Sequence, residues 1–279
     1  MALPSAFWFS LAGLVLLAPQ PSSADTFFVF AGGYALDTSH HCASVGSDTS
    51  ATCDATNTST DASTGETKSG TIDVAADLTS GNLMVHAESM ASLPTAQAGG
   101  EAQIGDTLTF GGAISHGSTT TVTMTGTMSD SNSGGGSNSF TGGALEIFDD
   151  TGLLTSGGAC SRPTSGFICD PTNDQTQVSV IGDSFSISST VNISLHGQIL
   201  VEFVVAASTF LNGSADISDP ISIDLPPGVT FTSASGKFLT SAGGPGGVPE
   251  TSTWAMMLAG FASLAALGRR ARRKNAALG

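Results

Sequence analysis

An all-β interior, folded as a β-sandwich or a jelly-roll-like domain, is what this sequence predicts, and three observations predict it. Polar and apolar residues alternate at period two in several short segments. Gly, Asn, Asp and Pro separate those segments. No 3.6-residue apolar stripe persists between residues 25 and 247. The interior is long enough for one large all-β domain.

The alternating segments are residues 107–110, 121–125, 177–181, 185–188, 191–195 and 217–225. Each is rich in Thr, Val, Ile or Phe, residues suited to a half-buried pleated surface. Each puts one face on a core and the other in water. Three stretches differ. Residues 54–70 have almost nothing apolar to bury and read as a loop or flexible insertion. Residues 129–139, with Gly134, Gly135 and Gly136, read as a hairpin tip. Pro226-Pro227-Gly228 reads as the turn of a final hairpin between Ile221/Ile223/Leu225 and Val229/Phe231.

The two ends are of another kind. Residues 7–18 form an apolar run followed by Pro19, Pro21, Ser22, Ser23 and Ala24. That is the pattern of a secretory signal peptide over residues 1–24, although no Lys or Arg precedes the run. Domain boundaries follow: a β-rich extracytoplasmic domain over residues 25–242, then a Gly/Pro linker over 243–247.

At the other end, Val248-Pro249-Glu250 precedes an uncharged stretch from 252 to 268, near the lower limit of about 17 residues for a membrane-spanning helix. Arg269, Arg270, Arg272, Arg273 and Lys274 follow it. Such a basic cluster stays cytoplasmic, which puts everything before Trp254 on the far side of the membrane.

Residues 248–274 resemble the PEP-CTERM sorting signal of Gram-negative bacteria, in which a Pro-Glu-Pro motif, a transmembrane helix and an arginine cluster are handled by an exosortase-type membrane protease. Thr251 stands at the third motif position, where Pro is usual. Residues 218–236 resemble the region preceding the tag in many such proteins. The resemblance implies export, anchoring in the cytoplasmic membrane before processing, release to the cell surface or beyond, and a link to extracellular polysaccharide or biofilm matrix. It implies nothing about chemistry.

Charge agrees with that compartment. Of 23 acidic residues only Glu250 lies beyond residue 247, and of 8 basic residues only Lys68, Arg162 and Lys237 lie between 25 and 247, so that segment carries −19. Nucleic acid, bound by neutralising its phosphates, is excluded as a partner. The four cysteines, Cys42, Cys53, Cys160 and Cys169, suit an oxidising environment. They allow three pairings, and short intervening loops favour Cys42 with Cys53 and Cys160 with Cys169. A zinc site would need His40 and His41 beside Cys42 to recruit distant partners, with no Cys-x-x-Cys pair to start from.

No catalytic signature stands out. There is no His-Glu-x-x-His helix, nucleophile elbow, phosphate loop or dinucleotide fingerprint. His86, His116 and His196 lie in or beside strand-like segments, and Asp149-Asp150 is one carboxylate pair among many. Tyr34 is the only Tyr, while Trp8 and Trp254 both fall in the targeting segments, so an aromatic sugar-stacking cleft is not expected. Asp130, Asn132 and Gly134 echo the first half of a calcium loop, but Thr141 occupies the position of the closing Glu. The expectation is a non-enzymatic surface or matrix-associated protein with no cofactor. The rivals are a secreted polysaccharide hydrolase using Asp/Glu catalysis and a calcium-binding adhesin.

Overall fold

A computed structural model describes residues 27–36, 41–46, 48–90, 96–132, 139–162, 165–170, 175–210 and 213–240. The segments expected to be a signal peptide (1–24), a linker (243–247) and a sorting signal with its basic cluster (248–274) lie outside the described residues. Everything described is strand, turn or irregular chain, with no helix among the described residues.

Sixteen strands form two antiparallel sheets. Sheet A contains β1 (Phe27–Ala35), β2 (His41–Gly46), β6 (Gln97–Gly112), β8 (Phe140–Asp149), β9 (Gly152–Arg162), β10 (Ser165–Asp170), β13 (Gln198–Phe210) and β16 (Val229–Ser233). Its order is β10-β9-β8-β13-β6-β1-β2, with β16 beside β6 beyond the end of β1. Sheet B contains β3 (Ser50–Thr60), β4 (Thr67–Asp77), β5 (Asn82–Met90), β7 (Thr119–Asn132), β11 (Thr176–Ile181), β12 (Ser184–Asn192), β14 (Gly213–Asp219) and β15 (Ile221–Asp224). Its order is β11-β12-β7-β14-β5-β4-β3, with β15 also on β7.

The sheets face each other as a β-sandwich, and the period-two pattern decides which side chains go inside. From sheet A come Val29, Ala102, Ile104, Leu108, Leu145, Ile147, Val201, Phe203 and Val205. From sheet B come Ile72, Val74, Leu83, Val85, Val122, Met124, Met128, Ile187 and Ile217. Polar groups in this core pair with one another: the Thr176 hydroxyl bonds Thr155 and, at 2.6 Å, Ser189. The Asp106 carboxylate, fully buried, accepts hydrogen bonds from the Ser235 amide and hydroxyl and so pins the turn after β16. Burial outweighs those bonds and holds its carboxyl above the ordinary range.

The expected segments at 107–110, 121–125, 177–181 and 185–188 all lie in strands. The segment at 191–195 does not continue as one: Asn192 Oδ1 accepts from the Ser194 amide at 3.1 Å and hydroxyl at 2.7 Å, an Asx turn that ends β12. Pro220 divides 217–225 into β14 and β15, yet both pair with β7 in one register, Ser218 with Thr127 and Ile221 with Met124. Pro220 cannot donate, but its carbonyl still accepts from Thr125 N at 3.1 Å.

Three expectations are corrected. Residues 54–70 are not a loop but most of the β3–β4 hairpin. Thr and Ser tolerate a pleated surface, and they bond across it: Thr60 meets Thr67 hydroxyl to hydroxyl at 3.2 Å, and Asp61 closes the turn by accepting from Ser63 N at 2.7 Å. Residues 129–132 are likewise not a tip. They extend β7 against β14, with Ser131 bonded to Ser214 at 2.9 Å, while residues 133–138 of the expected tip lie outside the described residues. Finally, Pro226-Pro227-Gly228 is not a hairpin turn. It carries the chain from β15 in sheet B to β16 in sheet A, because Ile221 and Ile223 enter the core from one side and Val229 from the other. Apolar alternation on both arms is the same for a hairpin and for such an arch.

Candidate functional site

The two outward faces of the sandwich are chemically opposite. On sheet B, cross-strand pairs of Ser and Thr make a hydroxyl ladder: Thr121 with Thr190 at 3.2 Å, Thr123 with Ser188 at 3.0 Å, and Thr127 with Ser218 at 3.5 Å. One row of this face carries titratable groups. Register places Asp54, Asp73, His86, Asp216 and Ser129 side by side on β3, β4, β5, β14 and β7.

His86 Nδ1 lies 2.5 Å from Asp216 Oδ1, and the Ser129 hydroxyl donates to Asp216 Oδ2 at 3.4 Å. These residue types suggest a catalytic triad, but the order is wrong for one. The imidazole must stand between hydroxyl and carboxylate to take the nucleophile's proton, and here the carboxylate stands in the middle. A shallow cavity of about 170 Å³ adjoins the row, lined by Met84, His86, Thr127, Ser129, Asp216 and Ser218. Burial, and then the adjacent Asp54 carboxylate, hold Asp73 above its ordinary range.

Sheet A presents the other chemistry. Phe28, Phe30 and Tyr34 on β1 and Phe140 on β8 share its outward face with Glu101, Gln103, Glu146, Glu202 and Val204. Four glycines explain how the rings sit. A Cβ on Gly32 would meet Phe30 at 2.5 Å, one on Gly105 would meet Phe28 at 2.4 Å, one on Gly99 would meet Tyr34 at 2.9 Å, and one on Gly142 would meet Phe140 at 3.0 Å. Each ring therefore reaches over a glycine, into space that a Cβ would fill, the device by which aromatic neighbours compensate glycine in strands.

The carboxylates stand among these rings. Glu101, on the central strand β6, is 8 % exposed, and its cross-strand neighbours are Gly32 and Ala206. Burial alone pushes its carboxyl up to about 7. Glu202 lies opposite Glu146 and accepts a hydrogen bond from Gln103 Nε2. Burial, reinforced by the Glu146 charge and opposed by the Gln103 bond, pushes Glu202 up to about 7 as well. Burial also raises the Tyr34 phenol.

Sequence reasoning missed this face. The signal was available: Phe28, Phe30 and Tyr34 alternate with core residues Val29 and Ala31, so both faces of β1 are apolar. The residues it did single out are placed otherwise. Asp149 ends β8 and binds the 151–152 turn, with Thr151 hydroxyl and amide bonds, and His196 at 2.9 Å, holding its carboxyl low. Cys53 and Cys160 are each disulfide-bonded. Val248, Pro249, Glu250, Arg269, Arg270, Arg272, Arg273 and Lys274 lie outside the described residues, as do the side chains of Cys42 and Cys169. No group of three or more His, Cys, Asp or Glu side chains suited to a metal ion occurs among the described residues.

The architecture defines the class, an antiparallel two-sheet β-sandwich protein. No family model and no curated protein matches the chain. Among solved structures, the keratin-10-binding region of the pneumococcal serine-rich repeat protein PsrP is 11 % identical, with 58 % of this chain and 79 % of that one covered and a TM-score of 0.14. A structure of manganese lipoxygenase of Gaeumannomyces graminis with part of zonadhesin of Komagataella pastoris is 11 % identical over 76 % and 80 %, with a TM-score of 0.20. The NetB toxin of Clostridium perfringens is 9 % identical over 66 % and 94 %, at 0.14. Likenesses this low carry no argument about function.

Proposed function

We propose that this chain is an exported surface or matrix-associated protein, sorted by an exosortase-type protease, whose β-sandwich serves a structural or binding role. The observation that carries the reading is the fixed order of Val248-Pro249-Glu250, an uncharged stretch of membrane-spanning length, and the cations from Arg269 to Lys274. The terminal signal and membrane helices belong to this proposal. The −19 charge of residues 25–247 supports it, because a charge of that size favours solubility.

If the motif is read by a protease, its side chains matter beyond membrane insertion, which the apolar stretch and the basic cluster already specify. Glu250→Ala should leave the protein exported but membrane-retained at its uncut size in a host with an exosortase-type enzyme. Replacing Arg269, Arg270, Arg272, Arg273 and Lys274 by Gln should disturb topology instead. Normal release of the Glu250→Ala protein would reduce the tail to an ordinary anchor.

Pairing of Cys42 with Cys53 and of Cys160 with Cys169 is part of the same reading. Cys42 lies in β2 and Cys53 in β3, edge strands of opposite sheets that lie against each other, so this bond would staple one open side of the sandwich. Loops this short contribute roughly 2–3 kcal/mol. Peptide mapping without reductant should recover both linked pairs from exported protein, and a Cys53–Cys160 link would overturn the assignment.

A further inference from the structure

Hydroxyls that enter the core are paired in one place and stranded in another. Thr155, Thr176 and Ser189 bond one another between the sheets. Ser139 and Thr141 do not. Ser139 is 2 % exposed and Thr141 0 %, yet neither Ser139 Oγ nor Thr141 Oγ1 has a hydrogen-bond partner among the described residues. Both lie on the inward side of β8, by the alternation that sends Leu145 and Ile147 into the core. A buried hydroxyl gives up its hydration on folding, and almost all such groups recover a partner, from the protein or from ordered water.

Two more buried hydroxyls lie beside them. Ser208 pairs with Phe140, so the next residue, Thr209, comes beside Ser139. Thr209 bonds Ser89 of sheet B at 3.3 Å, a long contact that uses one of the pair's two hydroxyl protons. The large apolar groups of the middle of the core give way here to short ones: Ala207 stands opposite Thr141, Ala98 opposite Thr209 and Gly70 opposite Ser89. We propose that this end of the interior is a hydration site, in which an internal water molecule bridges Ser139 Oγ and Thr141 Oγ1. Water is the ligand this chemistry fits. A buried water takes two to four polar partners, each hydroxyl here both donates and accepts, and the unspent proton of the Ser89–Thr209 pair supplies a third contact. The four hydroxyls carry no charge that would draw an ion in its place. The site belongs to the sandwich and is independent of how the chain is sorted.

The test combines denaturant unfolding of the full chain in detergent with magnetic relaxation dispersion of water, which counts long-lived internal waters. Thr141→Val keeps the shape of the side chain and removes its hydroxyl, and Ser139→Ala does the same at the other end of the bridge. Each should lower the internal-water count by about one and raise the unfolding equilibrium constant about fivefold, because the hydroxyl that remains is then stranded. In the double variant nothing is left stranded, so its unfolding constant should be no higher than that of either single variant, where independent losses would multiply to about 25-fold. Thr141→Ser, which keeps the hydroxyl, should keep the water. Thr176→Val, in the group whose members bond one another, should leave the count unchanged.

An unfolding constant that Thr141→Val leaves unchanged or lowers overturns the proposal, since that is how a hydroxyl with no partner of any kind responds. Multiplying losses in the double variant overturn it too, because each hydroxyl then has a partner of its own. So does an internal-water count that neither single variant changes, or one that Thr176→Val lowers as much as they do. If Thr141→Val does not fold, the water count of Ser139→Ala against the wild type decides alone.

Discussion

Thermal stability should increase as pH is lowered from 8 to 5, opposite to the trend usual for a folded acidic protein held by salt bridges. Glu101 and Glu202 titrate near 7 when folded, against 4.5 for an ordinary glutamate. Between those values the folded chain binds more protons than the unfolded one, so stability falls as pH rises. The stabilisation is fully present below the unfolded value and is lost as pH passes through the folded one. A shift of this size is worth roughly 3 kcal/mol per group, an upper figure for each because their ionisations interact. For a domain of this length that is about 2–4 °C in melting temperature per kcal/mol.

The trend should reverse near pH 4. Asp77 and Asp149 are held low by hydrogen bonds, Asp77 from Thr79 and Ser80 against the upward pull of its burial, and Asp149 from Thr151 first of all. Their contribution is present above the unfolded carboxylate value and is lost as pH falls through the lower folded one. Relief of self-repulsion in a chain of −15 acts in the same direction as the glutamates. The double variant Glu101→Gln/Glu202→Gln separates the two causes, because both side chains then stay neutral. Its melting temperature should exceed the wild type's at pH 8 and vary less between pH 5 and 8. A wild-type curve that is flat or rises with pH across this range would show that these carboxylates ionise freely in the fold.

The strands were legible where one face is apolar and the other polar, and the failures have physical causes. Residues 54–60 and 67–70 were lost because an edge hairpin buries little: its outer half is held by hydroxyl pairs and an Asx turn, which leave no hydrophobic trace. β13, whose stretch from Ile199 to Ala207 is apolar but for Glu202, has no alternation to read, because Val204 and Glu202 are buried on the outward face as well. The arch at 226–228 was misread because sequence records that a residue is buried and not from which sheet it enters. The Asp54–Asp73–His86–Asp216–Ser129 row joins five strands spread over 163 positions, and only register assembles it. The outward face of sheet A left no alternation to read, because Phe28, Phe30 and Tyr34 alternate with the core residues Val29, Ala31 and Ala35.

Gly33→Ala and Gly100→Ala should be the most damaging single-methyl additions in the core. The two glycines pair directly across β1 and β6 on the inward face, and together they form a notch filled from sheet B by Ile72 and Val74. A Cβ at Gly100 would stand 2.5 Å from Val74 Cγ2 and 3.1 Å from Val85 Cγ1. At Gly33 it would stand 2.6 Å from Ile72 Cδ1 and 2.6 Å from the Gly99 carbonyl oxygen. A branched side chain packed on both sides has little freedom to yield, and a backbone carbonyl has less, so the sheets must separate locally. Overpacking of this kind costs about 1–3 kcal/mol, with Gly33 expected at the upper end. Val74→Ala makes room at Gly100 but cannot move the Gly99 carbonyl. In a double-mutant cycle it should therefore recover part of the loss from Gly100→Ala, with coupling of roughly 0.5–3 kcal/mol, and little of the loss from Gly33→Ala. Gly197, with nothing within 4 Å of its built Cβ, is the matched control and should tolerate Ala with little change. Equal melting temperatures for Gly100→Ala and Gly197→Ala would mean that the sheets are not seated on this notch.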